Sequence, residues 1–286
     1  AIHYLTLAAN QNDSNAQCFL GTIYYEGRYI SKDINKSIHY LTLAADQNNP
    51  SAQYNLGVIY YTGKYVPRDI GRSIHYYTLA ANQNDSNAQF NLGVIYEIGD
   101  YTTRDIGKLI HYFTLAANQN NQKAQFNFGT FFEKGEDVSR DIKKSNYYSL
   151  ASSQNHNKAQ LSLGDTYRTG KYAIHDINKS IHYYTLAANQ NNAYAQFNLG
   201  LLYYYGEKIV QNIKKGIYYI MLSSKNGNRQ ANFAHGFLLH EGKYTKRDIR
   251  EAVHYYKEAS SFNNQYAKNN LGIIYKNGFR EVEQRI

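Results

Sequence analysis

The stretch from residue 33 to residue 68 reads DINKSIHYLTLAADQNNPSAQYNLGVIYYTGKYVPR, and most of the 286-residue chain repeats it. The glycine of its Leu-Gly step returns at intervals of 36, 36, 36, 35, 36, 36 and 36 residues. The glycines of this step are Gly21, Gly57, Gly93, Gly129, Gly164, Gly200, Gly236 and Gly272, and a second glycine follows each by six residues. A fixed period of this length predicts one repeat solenoid with a continuous core, not two globular domains.

Each repeat is predicted to contain two helices, which we call helix A and helix B. Helix A begins after an aspartate that can cap its free amides, and in the quoted stretch Ile34, Ile38 and Leu41 then recur at helical spacing. The capping aspartates are Asp33, Asp69, Asp105, Asp141, Asp176 and Asp248. The following Ala-Ala pair keeps one face thin, so that another helix can approach closely.

Helix B is predicted to begin at an asparagine or aspartate and to bury a face that includes Ala52, Leu56 and Ile59. These caps are Asp13, Asn49, Asp85, Asn121, Asn192, Asn228 and Asn264. The first glycine of each repeat lies inside helix B, where it costs about 1 kcal/mol relative to alanine. Close backbone packing would offset that cost. The second glycine suits the left-handed residue that ends a helix.

The predicted fold is therefore all-α, with a single repeat solenoid over residues 1–286. Its eight helix pairs are expected at about 1–27, 33–63, 69–99, 105–135, 141–170, 176–206, 212–242 and 248–278. Unit five lacks one residue in helix A, and units seven and eight depart from the common Thr-Leu-Ala-Ala sequence. We expect the chain to be a piece of a longer protein, because neither end has a polar capping repeat.

Composition restricts the classes of partner. The net charge of +9 comes from basic residues that are dispersed at one or two per repeat, without a nucleic-acid-binding motif, so no nucleic acid is expected. Cys18 is the single cysteine and is predicted to be a core thiol. It gives no support to an oxidising compartment, so the compartment stays open, with the cytoplasm preferred to the lumen of the endoplasmic reticulum. No stretch approaches the roughly 20 apolar residues of a membrane span. Membrane association is expected only through a partner or a region outside this sequence.

From Ala52 to Asp69 the chain reads AQYNLGVIYYTGKYVPRD, and a Ser-Ile-His-Tyr-Tyr segment and an Ala-Ala pair follow. This pattern resembles the Sel-one-like repeat (SLR) family, which is related to the tetratricopeptide repeats, and the resemblance covers the whole chain. The linker differs, because the family's second linker glycine is a tyrosine here, as at Tyr29, Tyr65 and Tyr244. The family's lysine before Ala-Ala is leucine, and its helix-A tryptophan is tyrosine.

The resemblance implies a right-handed α-α superhelical solenoid of about eight SLR helix pairs, with a concave helix-A surface that binds other proteins. Members of the family act as adaptors in ubiquitin-linked degradation at the endoplasmic reticulum, in regulation of cell-wall synthases, and in bacterial signalling and virulence. The implied class of function is an adaptor without a defined pathway.

Polar residues recur on helix A opposite its apolar face, and we call this set the helix-A stripe. Histidine, threonine and asparagine both donate and accept hydrogen bonds, which suits the backbone of an extended peptide. The alternative is a solvated helix face that was copied by duplication. The candidate binding residues are His39, Thr42, His75, Thr78, Asn82, His111, Thr114, Asn118, Asn146, His182, Thr185, Asn189, Tyr218 and His254. Among them Asn146 and Tyr218 interrupt the histidine pattern, so units five, seven and eight are candidates for partner-specific contacts.

Neither a metal site nor an active site is predicted. Packed helices lie roughly 8–10 Å apart, whereas histidine nitrogens bind zinc at about 2 Å, so successive histidines would not share an ion. They would instead add positive charge near pH 6. No cluster combines a nucleophile, a base and an orienting acid, and no cofactor is expected. The remaining histidines are predicted to be loop or surface residues: His156, His175, His235 and His240.

The leading functional hypothesis is a non-catalytic adaptor that binds a protein or peptide partner through helix A. One alternative is an electrostatic module for acidic proteins or anionic membrane surfaces, based on the +9 charge. Another is the regulatory repeat region of an enzyme whose catalytic domain lies outside this sequence.

Overall fold

The computed structural model describes residues 2–99, 103–135, 146–170, 173–206 and 208–276. These residues form sixteen helices and no strand. Odd-numbered helices are helix A and even-numbered helices are helix B. The helices are α1 (Ile2–Asn10), α2 (Ser14–Glu26), α3 (Ile34–Asp46), α4 (Pro50–Thr62), α5 (Ile70–Asn82), α6 (Ser86–Ile98), α7 (Ile106–Asn118), α8 (Gln122–Lys134), α9 (Asn146–Ser153), α10 (Asn157–Thr169), α11 (Ile177–Asn189), α12 (Ala193–Tyr205), α13 (Ile213–Lys225), α14 (Arg229–Glu241), α15 (Ile249–Ser261) and α16 (Gln265–Lys276).

The predicted helix caps are confirmed wherever the structure describes them. The Asp33 carboxylate accepts from the Lys36 backbone amide at 3.0 Å, and the Asn49 side chain accepts from the Ala52 amide at 3.0 Å. Asp141 lies outside the described residues, as do residues 142–145 that follow it in unit five. In unit seven Asn212 replaces the usual aspartate and caps α13 in the same way. The start of every helix except α1 and α9 is therefore fixed by a local side-chain hydrogen bond among the described residues.

The chain forms two compact units, residues 1–150 and residues 151–286. In both, a helix B packs most extensively against the helix A that follows it, as α4 does against α5 and α12 against α13. The core of each unit consists of helix-A alanines, helix-B leucines and aromatic rings. Cys18 is buried among these residues, and burial raises the pKa of its thiol, as expected of a core cysteine.

Close contact between helix B and the next helix A depends on the first glycine of each repeat. A Cβ atom added to Gly57 would lie 2.5 Å from Cδ1 of the buried Tyr77 ring, and one added to Gly21 would lie 2.6 Å from Cγ of Leu41. The glycine is closely packed, as predicted, but its nearest neighbour is a helix-A side chain where the sequence analysis expected backbone. We call the place that this side chain fills the ring position. It is occupied by Leu41, Tyr77, Phe113, Tyr148, Tyr184, Ile220 and Tyr256.

We expect Gly57→Ala to destabilise the protein although alanine is the better helix former. The added methyl group must displace the Tyr77 ring, and such overpacking costs typically about 1–3 kcal/mol. Gly272→Ala is the matched control, because a Cβ there meets no atom within 4 Å. That change should stabilise α16 by up to about 1 kcal/mol. Urea unfolding followed by circular dichroism measures both changes, and equal gains in stability would contradict the packing role of Gly57.

A second periodic feature is a ladder of buried glutamines, which the sequence analysis did not identify. Gln53 donates from Nε2 to the carbonyl of Ala45 at 3.2 Å, and its Oε1 accepts from Nε2 of Gln83 at 2.8 Å. Gln89 repeats both contacts, with Ala81 and Gln119. Each buried amide therefore joins its own helix B to the end of the preceding helix A and to the end of the next one.

We expect Gln89→Ala to lower the free energy of unfolding by about 2 kcal/mol. The substitution leaves the Ala81 carbonyl and the Gln119 amide without their partner and opens a small cavity. Gln230→Ala, at an exposed position of α14, is the control and should change stability by less than about 0.5 kcal/mol. Chemical denaturation compares the two variants. A loss at Gln89 no larger than that of the control would show that the ladder does not stabilise the array.

Candidate partner-binding surface

The helix-A stripe is largely exposed. Its histidines (His39, His75, His111, His182 and His254) and its asparagines (Asn82, Asn118, Asn146 and Asn189) are exposed to solvent. Tyr218, which replaces a histidine, is 60% exposed. The threonines Thr42, Thr78, Thr114 and Thr185 are half-buried. The stripe therefore presents hydrogen-bonding side chains at a spacing of one repeat.

Four stripe histidines, His39, His75, His111 and His182, lie beside a stacked tyrosine pair. The His39 ring meets Tyr40 edge-on with 5.3 Å between centroids, and Tyr40 stacks on Tyr24 of helix B at 5.9 Å. The same edge contact recurs at His75, His111, His182 and His254. In α13 Tyr218 takes the place of the histidine and packs edge-on against Tyr219. The exposed rings are therefore held against partly buried ones, which limits their freedom before any partner binds.

A cation completes four of these aromatic pairs. Nζ of Lys36 lies 5.3 Å from the centroid of Tyr24 and 3.9 Å from the carboxylate of Asp33. Arg72 takes the same place, 5.3 Å from the Tyr60 centroid and 3.3 Å from the Asp69 carboxylate. Equivalent contacts occur at Lys108 and Lys179. These four basic residues therefore already have an anionic partner within the protein.

The stripe threonines lie beside partly buried groups. Burial raises the pKa of Tyr76 on α5, and the nearby Thr42 side chain on α3 partly opposes this shift. Thr185 donates to the carbonyl of Ile181 within α11 at 2.7 Å. The threonines are therefore less available to a partner than the exposed histidines.

The histidines outside the stripe have separate roles. His156 caps α10, with Nδ1 accepting from the Ala159 amide at 3.2 Å, and His175 lies 3.1 Å from Nζ of Lys208. His240 is half-buried near the Tyr256 hydroxyl. Among the residues that the structure describes, no group of three histidine, cysteine, aspartate or glutamate side chains is placed to hold a metal ion.

His235 corrects the prediction that these histidines lie in loops or on the surface. It is inside α14 and is 3% exposed. It takes the position that Leu56 has in the second of the eight repeats. Its Nδ1 lies 3.3 Å from Oγ of Ser224, its ring packs 4.0 Å from the ring of Tyr255, and its Nε2 is buried without a partner. The prediction was wrong because it relied on the residue type. Alignment of the repeats places residue 235 at the core position of Leu56.

We expect His235 to make the protein sensitive to acid. Burial lowers its pKa from 6.5 to about 4, so the unfolded chain takes up the proton first as the pH falls. Its contribution to stability is complete above pH 6.5 and is lost between 6.5 and about 4, by up to about 3 kcal/mol. His235→Leu should remove this part of the pH dependence in thermal unfolding at pH 4 to 7.5. Parallel pH profiles for the two proteins would contradict the assignment.

No helix among the described residues has the length and apolar character needed to cross a membrane. The helix pairs, the cap pattern and the periodic surface together define an α-helical repeat scaffold. The chain belongs to the Sel1 repeat family, whose model matches residues 1–13, 14–49, 50–85, 86–121, 122–156, 157–192, 193–228 and 229–261. The matches after the first begin at helix B, in agreement with the tight packing of helix B on the next helix A.

Two solved structures show the same architecture. One is c5321, a protective antigen present in uropathogenic Escherichia coli strains that displays an SLR fold, with a TM-score of 0.91 and 27% sequence identity. The match covers 97% of this chain but 60% of that one. A Sel1 repeat protein from Oxalobacter formigenes matches with a TM-score of 0.82 and 27% identity, over 96% of this chain and 79% of that one. No curated protein matches the sequence.

The predicted all-α SLR solenoid is thereby confirmed. Sel1 repeat solenoids are generally non-enzymatic scaffolds for protein interactions, which agrees with the coarse prediction of a binding role.

Proposed function

We propose that this protein is a non-catalytic adaptor that binds a protein or peptide partner along the helix-A stripe. The observation that carries the proposal is the repeated, exposed histidine packed against a stacked tyrosine pair, as in His75, Tyr76 and Tyr60. Such an array offers imidazole donors and acceptors at each repeat, next to aromatic surface.

An extended peptide is the partner that this surface fits best. A peptide backbone alternates donors and acceptors, and histidine and asparagine side chains match both kinds. The nearby rings supply apolar contact at a small entropic cost, because they are already packed. Identification of the partner would identify the pathway. The candidate pathways are protein quality control, ubiquitin-linked degradation and signalling.

The structure gives less support to a purely electrostatic module. Four regularly spaced cations, Lys36, Arg72, Lys108 and Lys179, are paired with capping carboxylates and lie over tyrosine rings. Their charges are therefore partly compensated before any acidic partner approaches. The alternative of a regulatory repeat region is tested by the complete reading frame, which would have to encode a catalytic domain outside this sequence.

We expect a triple variant, His39→Ala with His75→Ala and His111→Ala, to lose partners that the unaltered chain captures from a cell lysate. Three adjacent repeats then lack their imidazoles while the buried core is unchanged. Mass spectrometry identifies the captured proteins, and the interaction is repeated with purified partner. Binding should persist at about 0.5 M salt, where screening lengths shrink to a few Å.

The matched control is Ser51→Ala with Asn87→Ala and Lys123→Ala, which alters exposed positions in the first turns of α4, α6 and α8. It changes the same repeats away from the stripe. Circular dichroism verifies that both triple variants keep their helicity. If the histidine variant retains every partner that the control retains, the stripe is a solvated face.

A further inference from the structure

The ring position is aromatic in five repeats and aliphatic at Leu41 and Ile220. In the aromatic repeats the side chain fills the space between successive B helices. The Tyr184 hydroxyl, for example, donates to Oδ1 of Asp165 at 2.6 Å, on the preceding helix B. At Leu41 and Ile220 the shorter side chains leave an open pocket at the equivalent place.

The pocket above Ile220 is apolar and aromatic. It has a volume of about 230 Å³ and is lined chiefly by Leu201, Tyr204, Ile220, Phe233, Ala234 and Phe237. A dry apolar cavity of about 150 Å³ is enough to bind benzene. Phe237 and the neighbouring Tyr205 are 44% and 63% exposed, so the pocket opens to solvent at its rim.

Ala234 distinguishes this pocket from the others. Most repeats have asparagine at this position, and Asn270 donates to the Tyr256 hydroxyl at 3.0 Å. The Leu41 pocket likewise has polar walls, where Asn55 donates to Thr22 at 3.3 Å. Above Ile220 both polar positions are apolar, as Leu201 and Ala234. No hydroxyl on an incoming ring would find a partner at either position, which favours phenyl over phenol.

We propose that the Ile220 pocket binds a phenylalanine side chain of a partner peptide, in the space that the chain's own ring fills in five other repeats. This site is separate from the helix-A stripe, because its walls come from α12 and α14 and from the side of α13 that Ile220 occupies. The binding of one partner segment here does not require the stripe.

The rim of the pocket favours an acidic residue next to the phenylalanine. Tyr204 of the wall packs edge-on against Tyr244 at 6.2 Å, and Nζ of Lys243 lies 5.0 Å from the centroid of Tyr244. The proximity of Lys243 and Tyr244 raises the pKa of Lys243, chiefly through a hydrogen bond to the tyrosine hydroxyl. Lys243 is exposed and positively charged. A carboxylate beside the bound phenylalanine ring would be attracted by the positive charge of Lys243.

The test is a titration with N-acetyl-Phe-Asp-amide, followed by methyl NMR of leucine- and isoleucine-labelled protein. The methyl resonances of Leu201 and Leu238 should shift saturably within the millimolar range, because a single anchor binds weakly. N-acetyl-Ala-Asp-amide should leave them unchanged. No saturable shift up to about 10 mM, or equal shifts with the alanine peptide, would overturn the proposal.

Two matched variants locate the site. Ile220→Phe fills the pocket and should weaken binding about tenfold or more. Leu41→Phe fills the equivalent pocket beside α2, α3 and α4 and should leave binding unchanged. Circular dichroism shows whether both remain folded. Unaltered binding by folded Ile220→Phe would rule out this pocket.

Ala234→Asn provides an independent measurement that leaves the pocket open. It restores the amide that most repeats have, so the affinity for N-acetyl-Tyr-Asp-amide relative to the phenylalanine peptide should rise about tenfold. An unchanged ratio would contradict placement of the ring beside Ala234.

Discussion

The close approach of a helix-B glycine to one helix-A side chain is the contact on which the array depends. Because Gly57 has no side chain, the Tyr77 ring lies directly against the helix-B backbone. The pair of helices formed in this way, helix B with the following helix A, is the tightest in the structure. It is also the pair that the Sel1 repeat matches delimit. Within each compact unit, repetition of this one contact produces both the core and the regular surface.

The same periodicity places the two candidate binding features on different sides of the repeat. His75 and Tyr76 lie on the exposed side of α5, whereas Tyr77, the next residue, is buried against the B helices. In α13 the corresponding residues are Tyr218, Tyr219 and Ile220. A substitution at a histidine of the stripe therefore leaves the ring position unchanged. A substitution at the ring position likewise leaves the stripe unchanged.

Much of the fold could be predicted from the sequence, because its signals are local. Capping aspartates such as Asp33, left-handed glycines such as Gly63 and the helical spacing of apolar residues each act within a few residues. The glutamine ladder could not be predicted in this way, since Gln53 and Gln83 are thirty residues apart and meet only after the repeats pack. The pocket at Ile220 also required the structure, because an isoleucine is an ordinary core residue in a sequence.

The placement of the candidate binding residues followed from helical periodicity, which assigned exposed positions to the stripe. His235 shows that residue type alone does not predict burial where a repeat departs from the common sequence. Histidine is usually a surface residue, but residue 235 aligns with the buried Leu56 and therefore lies in the core. Its polar neighbour Ser224 also replaces an alanine of the usual pattern, so the exception in unit seven involves several buried residues together.

The glutamine ladder has a consequence for the conditions in which the array remains intact. Its links are formed by neutral amides, as between Gln89 and Gln119, and neither partner titrates or carries a charge. The contribution of these links to cohesion between neighbouring repeats should therefore depend little on ionic strength or on proton concentration. The pH dependence of the array then arises elsewhere, at titratable core residues such as His235.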